Sequence, residues 1–282
     1  MDLGDEMDGI LIVNKPAGMT SHDVVNRLRK VLQTKKIGHT GTLDPQATGV
    51  LVVLVGKACK ILQFLNDTDK TYRAGIQLGY ATDTMDVFGN ITQEKEVNLD
   101  FDFEEVLKSF QGKISQLVPM TSAKKIHGKK LMEYQRQNIE IDPIYQDVEI
   151  YSIRALNVQD LTFEVHCSSG TYVRSICYEF AKKTNNEGCM KRLERIRVGR
   201  FSIEQAQSLE EIGVLPRFYP IEDFLSHIPR IDMNDVQDVL HGKKLCISNQ
   251  ESNLVCIYHQ QKPLAIYERV DGDLYASKRG LW

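Results

Sequence analysis

The stretch GHTGTLDPQATGVL, residues 38–51, sets one carboxylate, Asp44, among three glycines and three threonines and runs directly into the apolar VLVVLVG, residues 50–56. The β-branched run reads as a central strand, although its length alone does not separate a strand from a buried helix. Gly38, Gly41 and Gly49 make room for a ligand or a tight reversal of the chain. Thr40, Thr42 and Thr48 supply hydroxyls that can bind nearby backbone and hold the loop still. Asp44-Pro45 by itself signals no more than a turn.

Before this loop, GILIVNKPAG reads as a short buried strand from Ile10 to Val13, halted by Pro16 and Gly18. TSHDVVNRLRKVL then reads as a helix with Ser21 as N-cap and Val24, Leu28, Val31 and Leu32 on one face. After the loop, KACKILQFL predicts a helix and KTYRAGIQLGY a strand, and the acidic stretch to about residue 100 predicts loop with short strand. FDFEEVLKSFQG predicts an amphipathic helix closed by Gly112. Residues 113–145, basic and broken by Pro119, Gly128 and Pro143, read as a mobile insertion. VEIYSIRAL, LTFEVHC and RLERIRVGRF predict strands, with a turn and helix in SSGTYVRSICYEFAKK.

Strands and helices mix without a regular alternation, so the fold class is α+β with a mixed central sheet flanked by helices. Residues 1–228 form the main domain. Beyond Pro229 a short helix ending near Gly242 and the strands NLVCIYH, PLAIYER and DLYASK predict a small β-rich module over 229–282.

The 282 residues, 42% hydrophobic and 26% charged, match a soluble globular enzyme or binding protein. No window approaches the roughly 18 apolar residues of a membrane span. The acidic start MDLGDEMDG lacks the basic and hydrophobic regions of an export signal, which reads as cytoplasmic. Six cysteines without a C-x-x-C pair argue against a disulfide framework and a structural zinc site.

Net charge is −3, yet the charge is segregated. Residues 108–136 hold seven Lys/Arg against one acid, and 182–200 hold seven against two, while 83–105 hold eight acids against Lys95 alone. Such segregation can give a basic face for a polyphosphate backbone, although each cluster alone is also what a solvated helix shows.

Several chemistries can be tested on the loop. A Walker phosphate loop fails, because the glycines lead into a strand and Gly56-Lys57 is followed by Ala58. A metal site lacks a third ligand near His39 and Asp44. A hydrolytic carboxylate pair stays open, with no second acid nominated.

GHTGTLDPQATGVL closely resembles the signature of the bacterial tRNA pseudouridine synthases of the TruB type. The resemblance extends to IVNKPAGMTSHDVV (12–25), DKTYRAGIQLG (69–79), TDTMDVFG (82–89), MTSAKKIHGKKLMEYQR (120–136) and CSSGTYVRSI (167–176), and covers nearly all of the chain to about residue 215. It implies the pseudouridine synthase fold with a largely antiparallel sheet, and a C-terminal module similar to the family's PUA-like RNA-binding appendage.

The resemblance further implies an isomerase, an intramolecular transferase that converts the uridine at position 55 of the tRNA T-arm loop to pseudouridine, with no cofactor and no metal. The protein would be a cytoplasmic monomer whose partner is the T-arm stem-loop of tRNA, with no membrane involved. The target nucleotide has to be flipped from its stack. Asp44 matches the family's nucleophile, acting on base or sugar or assisting elimination at the sugar. Tyr72 matches the tyrosine that stacks on the flipped base, and Tyr172 and Leu193 match residues lining the uracil site. Arg174 matches the arginine paired with the catalytic carboxylate, whose charge would hold the acid's rotamer and offset the cost of its burial. His39 matches a histidine that helps disrupt the T-loop stack, with a structural hydrogen-bonding role as the competing interpretation. Lys15-Pro16 matches a supporting motif, and the basic segment resembles a clamp over the RNA. An RNA-binding or RNA-folding protein without turnover, and a glycoside hydrolase, are the rival readings.

Overall fold

The computed structural model describes residues 8–65, 69–137 and 139–282. The reading of the acidic start as export-incompetent falls mostly on residues 1–7, outside the described residues. In chain order the elements are β1 (Gly9–Lys15), α1 (Ser21–Val31), β2 (Ile37–His39), β3 (Thr48–Val55), β4 (Lys70–Leu78), β5 (Tyr80–Thr82), β6 (Ile91–Glu94), α2 (Phe103–Lys108), β7 (Gly112–Leu117), β8 (Lys125–Ile126), β9 (Lys129–Lys130), α3 (Leu131–Arg136), β10 (Tyr145–Asn157), β11 (Thr162–Cys167), α4 (Val173–Lys183), β12 (Gly188–Val198), β13 (Phe201–Ser202) and α5 (Leu209–Val214). A second group follows: β14 (Arg230–Asp232), α6 (Gln237–Leu240), β15 (Leu245–Cys246), β16 (Leu254–His259), β17 (Lys262–Asp271) and β18 (Leu274–Gly280).

The central sheet runs β1-β3-β12-β4-β11-β10-β7, with β2 and β13 off this path. Its pairings are antiparallel except at β3–β12, where two parallel pairs, Glu194 with Thr48 and Arg195 with Gly49, join the halves. Gly49 adopts φ +102°, and a Cβ there would lie 2.2 Å from the Arg195 carbonyl oxygen. Only glycine lets the two backbones meet at this seam.

β1 and β3 are buried on both faces, which explains their near-continuous apolar runs. Leu11, Val13, Leu51 and Val53 pack on α1 and α5, while Ile10, Ile12, Val50 and Val52 pack on the opposite side. Beyond the seam, Tyr72, Ala74, Ile76, Phe163 and Val165 pack against α2 and α4 on one face only.

Several local expectations change. The N-cap of α1 is Thr20, not Ser21: the Thr20 hydroxyl accepts from Asp23 N at 3.0 Å, and Asp23 Oδ2 accepts from Thr20 N at 2.9 Å. This reciprocal pair satisfies two end groups of the helix. The predicted helix after β3 is a 3₁₀ helix, Gly56–Phe64, whose three-residue turn lines up Ala58, Ile61 and Phe64 toward the core. Gly112 does not close α2; at φ +103° it opens β7.

β7 pairs with β10 from Gly112 to Leu117, so the first residues of the expected 113–145 insertion are an edge strand of the sheet. The part lying off the sheet carries the β8–β9 hairpin and α3.

The second sheet runs β14-β16-β17-β18-β15. Along β16, Val255 and Ile257 face the module's own core, whereas Cys256 and Tyr258 join Ile10, Val50 and Phe224 in a cluster shared with the central sheet. The module therefore packs on the main sheet, as a unit of its size requires. No helix among the described residues is long and apolar enough to cross a membrane.

Candidate active site

Asp44 stands in a turn closed by the Ala47 N–H donating to the Asp44 carbonyl at 3.1 Å. The turn is held from below by Lys15, a fully buried lysine at the end of β1. Its Nζ donates to the carbonyls of Pro16 (2.9 Å), Met19 (2.6 Å) and Pro45 (2.9 Å). Burial pushes the Lys15 amine down to about 8, with Asp44 pulling in the opposite direction. Ser21, freed from capping, ties α1 to the loop: Leu43 N donates to its hydroxyl at 2.9 Å.

Arg195 fills the loop from the other side. Only 1% exposed, it donates to the carbonyls of Val50 (2.7 Å), Thr42 (3.3 Å) and Gly41 (3.2 Å). The small-residue composition is thereby explained: backbone carbonyls must converge on one guanidinium, whose several donors match them.

Arg174 meets Asp44 through two contacts, Nε to Oδ2 at 3.0 Å and Nη2 to Oδ1 at 3.4 Å. It sits in the first turn of α4, where a cation opposes the helix dipole. Compensation comes from the carboxylate, from the Thr84 carbonyl at 2.9 Å and from the Thr121 hydroxyl. The Arg174 side chain is 5% exposed and that of Asp44 37%, so the fork is buried and the acid faces outward.

The acid faces a cavity of about 310 Å³. Asp44, Tyr72, Tyr172, Arg174 and Leu193, all expected at the site, line it together with Lys70, Thr121, Met132 and Arg195. Asp44 is the one acid in that lining among the described residues. Tyr72 is buried, which raises its phenol above the ordinary value, so it presents a neutral hydroxyl and a flat ring. Tyr172 caps α4 through a reciprocal amide pair with the buried Gln116 of β7: its N–H donates to Gln116 Oε1 (2.8 Å) and its carbonyl accepts from Gln116 Nε2 (3.0 Å).

Two expected residues stand outside the lining. Lys15 lies beneath the turn. His39 ends β2 one residue before Thr40, half-buried, with Nδ1 unpartnered among the described residues. Burial, then the nearby Arg195, lowers its imidazole below the ordinary value.

Sequence reasoning passed over Arg195, Lys70, Gln116 and Thr121. Strand parity could have found two of them, since Arg195 lies two residues from Leu193 and Lys70 two from Tyr72. Burial, followed by Arg195, pushes the Lys70 amine down to about 8. The described residues include no group of three or more His, Cys, Asp or Glu placed to hold a metal ion.

Comparison with known proteins adds to this geometry. The family model described as TruB family pseudouridylate synthase (N terminal domain) matches residues 29–173. The chain is 39% identical over 284 residues to tRNA pseudouridine synthase B of Oceanobacillus iheyensis, covering 93% of each chain. It is 38% identical over 287 residues to that of Aquifex aeolicus, covering 97% of this chain and 99% of the relative. Over 247 residues it is 40% identical to that of Bacillus subtilis, covering 81% and 80%. Among solved structures, a chain of a Cbf5-Nop10-Gar1 complex superimposes with a TM-score of 0.71 at 24% identity, covering 98% of this chain and 85% of that one, a likeness of fold.

Proposed function

The chain belongs to the TruB family of pseudouridylate synthases, and from that premise we propose that it isomerises one uridine of tRNA to pseudouridine, the uridine at position 55 in the T-arm loop. The N1–C1′ bond breaks, the uracil turns, and C5 joins C1′; C5 loses a proton and N1 gains one. The product is an isomer of the substrate, so no redox partner enters the balance.

The observation that carries this reading is a cavity of about 310 Å³ in which one carboxylate, Asp44, meets a buried aromatic, Tyr72. That volume lies at the small end of ligand sites. It suits a single nucleoside, which must leave its stack to enter. Asp44 is the nucleophile, toward base or sugar, and Arg174 fixes the geometry of its attack. Tyr72 offers the ring on which the extruded base stacks. Tyr172 and Leu193 close the sides, Lys15 supports the turn, and His39 enters the space the nucleotide vacates.

The division at 228/229 separates a catalytic domain from a PUA-like RNA-binding module. The segment between β7 and β10, whose first loop places Thr121 and whose helix places Met132 in the cavity lining, acts as a clamp over the RNA. The protein works as a cytoplasmic monomer.

Base-resolution mapping of tRNA incubated with the protein tests the assignment. Asp44→Asn should abolish pseudouridine formation at position 55 and leave tRNA affinity within a few-fold. Retained turnover would overturn the role of Asp44, loss of activity only through lost binding would favour an RNA-folding protein, and release of free base would indicate a hydrolase. Affinity for tRNA should also fall steeply with salt, and a flat response would remove the basic stretches from the interface.

A further inference from the structure

The loop that enters α4 supplies Ser169, Gly170, Thr171 and Tyr172 to the wall of the Asp44 cavity. The helix does little to hold that loop by itself. Its N-cap, Tyr172, makes no side-chain cap hydrogen bond, and its first turn carries the cation Arg174 and no acid. Such a helix start leaves end groups unsatisfied and sets charge against the dipole. The missing grip comes from the sheet. Gln116 of β7 and Gln146 of β10 are direct cross-strand partners, so their side chains leave the sheet on one face. Gln116 is fully buried, and its amide takes both the N–H and the carbonyl of Tyr172. Gln146 donates to the Gly170 carbonyl, two residues earlier. Gly170 adopts φ +91°, and a Cβ on it would lie 3.3 Å from Gln146 Nε2, so chain and amide meet where glycine is the unstrained residue. The Gln146 side-chain oxygen is in use as well: it accepts at 2.6 Å from Nζ of Lys124, the residue immediately before β8.

We propose that Gln116 and Gln146 are positioning residues for pseudouridine formation: together they fix the peptide units of residues 170–172, and through these the Tyr172 wall of the cavity and the Arg174 fork on Asp44, while Gln146 ties that wall to the clamp through Lys124. The proposal rests on the reading of the Asp44 cavity as the uridine site and adds residues that do not line it. An amide that takes both backbone groups of one residue fixes that residue's rotation as well as its distance. Supporting hydrogen bonds of this kind decide how closely a reacting group keeps its productive geometry.

The test uses the full chain and intact tRNA. Gln116→Met keeps the length of the side chain and removes both hydrogen bonds. Its kcat should fall about tenfold or more while the Kd for tRNA stays within about twofold, because a misplaced reacting group costs rate without loosening the RNA. Gln146→Met should lower kcat by a smaller factor, about threefold. Ser175→Ala is the control: Ser175 is fully buried, and its hydroxyl donates to the Leu117 carbonyl at 2.6 Å, tying β7 to α4 without contacting residues 170–172. It should lower the melting temperature comparably to Gln116→Met and leave kcat within about twofold. Equal losses of kcat in Gln116→Met and Ser175→Ala would mean a merely structural role and overturn the proposal, as would wild-type kcat in Gln116→Met. Should Gln116→Met fail to fold, Gln146→Met, at a half-buried position, decides, and wild-type kcat there overturns the proposal. A wild type that binds tRNA and forms no pseudouridine sinks the enzymatic reading instead. Amide hydrogen exchange then decides the positioning: faster exchange confined to residues 168–176 in Gln116→Met supports it, and unchanged exchange there overturns it.

Discussion

Two arginine–carboxylate groups, one joining α4 to the turn before β3 and the other spread over β4, β11 and β10, are built in opposite senses. At the cavity the arginine is hidden and the acid shown: Arg174 is 5% exposed and Asp44 37%. On the open face of the sheet Glu164 is the sheltered member, 17% exposed, while Arg73 and Arg154 stand 53% and 66% exposed at 3.3 and 2.8 Å from it. The burial of the cation marks the difference in use. A guanidinium tied to carbonyls and a hydroxyl cannot wander, so it aims its carboxylate at whatever enters the cavity. Exposed arginines around a strand-borne glutamate are screened by solvent and aim at nothing.

The strongest way to break this contrast is Arg174→Lys. A lysine keeps the charge but not the two-pronged fork, and kcat for pseudouridine formation should fall about 100-fold or more, because small misplacements of a reacting group cost that much. Single-turnover assays check it; near-normal chemistry would mean that aiming is not what the buried arginine does. Next comes Gly49→Ala, which leaves both ion groups untouched but forces a Cβ into the Arg195 backbone at φ +102°. A loss of at least about 2 kcal/mol in urea unfolding is expected.

A pH series sharpens the comparison further. Lys15 and Lys70 hold their protons less tightly in the folded protein, at about 8, than at the ordinary 10.5. Between about pH 8 and 10.5 the unfolded chain binds more protons, so these groups make stability rise with pH; the penalty they impose is fully present below about pH 8. Lys15→Met should flatten that part of the urea-midpoint profile, and an unchanged slope would contradict it. The smallest effect belongs to the surface group. Glu164→Gln should alter stability by no more than about 0.5 kcal/mol and turnover less than twofold.

The elements that depend on local pattern were legible in the sequence. The apolar run after Asp44, the amphipathic face of α1 and the alternating strands around residues 145–167 all carry their periodicity in the chain. The Asp44 loop was legible as a candidate site through its resemblance, not its composition, since an Asp-Pro turn has a bland explanation. What stayed hidden depends on distant partners. Ser21 reads as a cap until Leu43 is seen to occupy its hydroxyl. Gln116 sits in a segment that looks like loop until β10 pairs with it and Tyr172 takes its amide. The seam between β3 and β12 rests on two residue pairs from remote segments, too few to imprint any pattern on either.

One cluster reaches from one end of the chain to the other: Ile10 of β1 and Leu281, just past β18, share it with Val50, Phe224 and Tyr258. During synthesis, β1 cannot complete its packing until the strands of the second sheet and Leu281 have emerged from the ribosome. Contacts of such long sequence separation form late and slowly. One face of β1 therefore stays without its full cover while the residues between are made, an interval in which a chaperone or a neighbouring chain can intercept it.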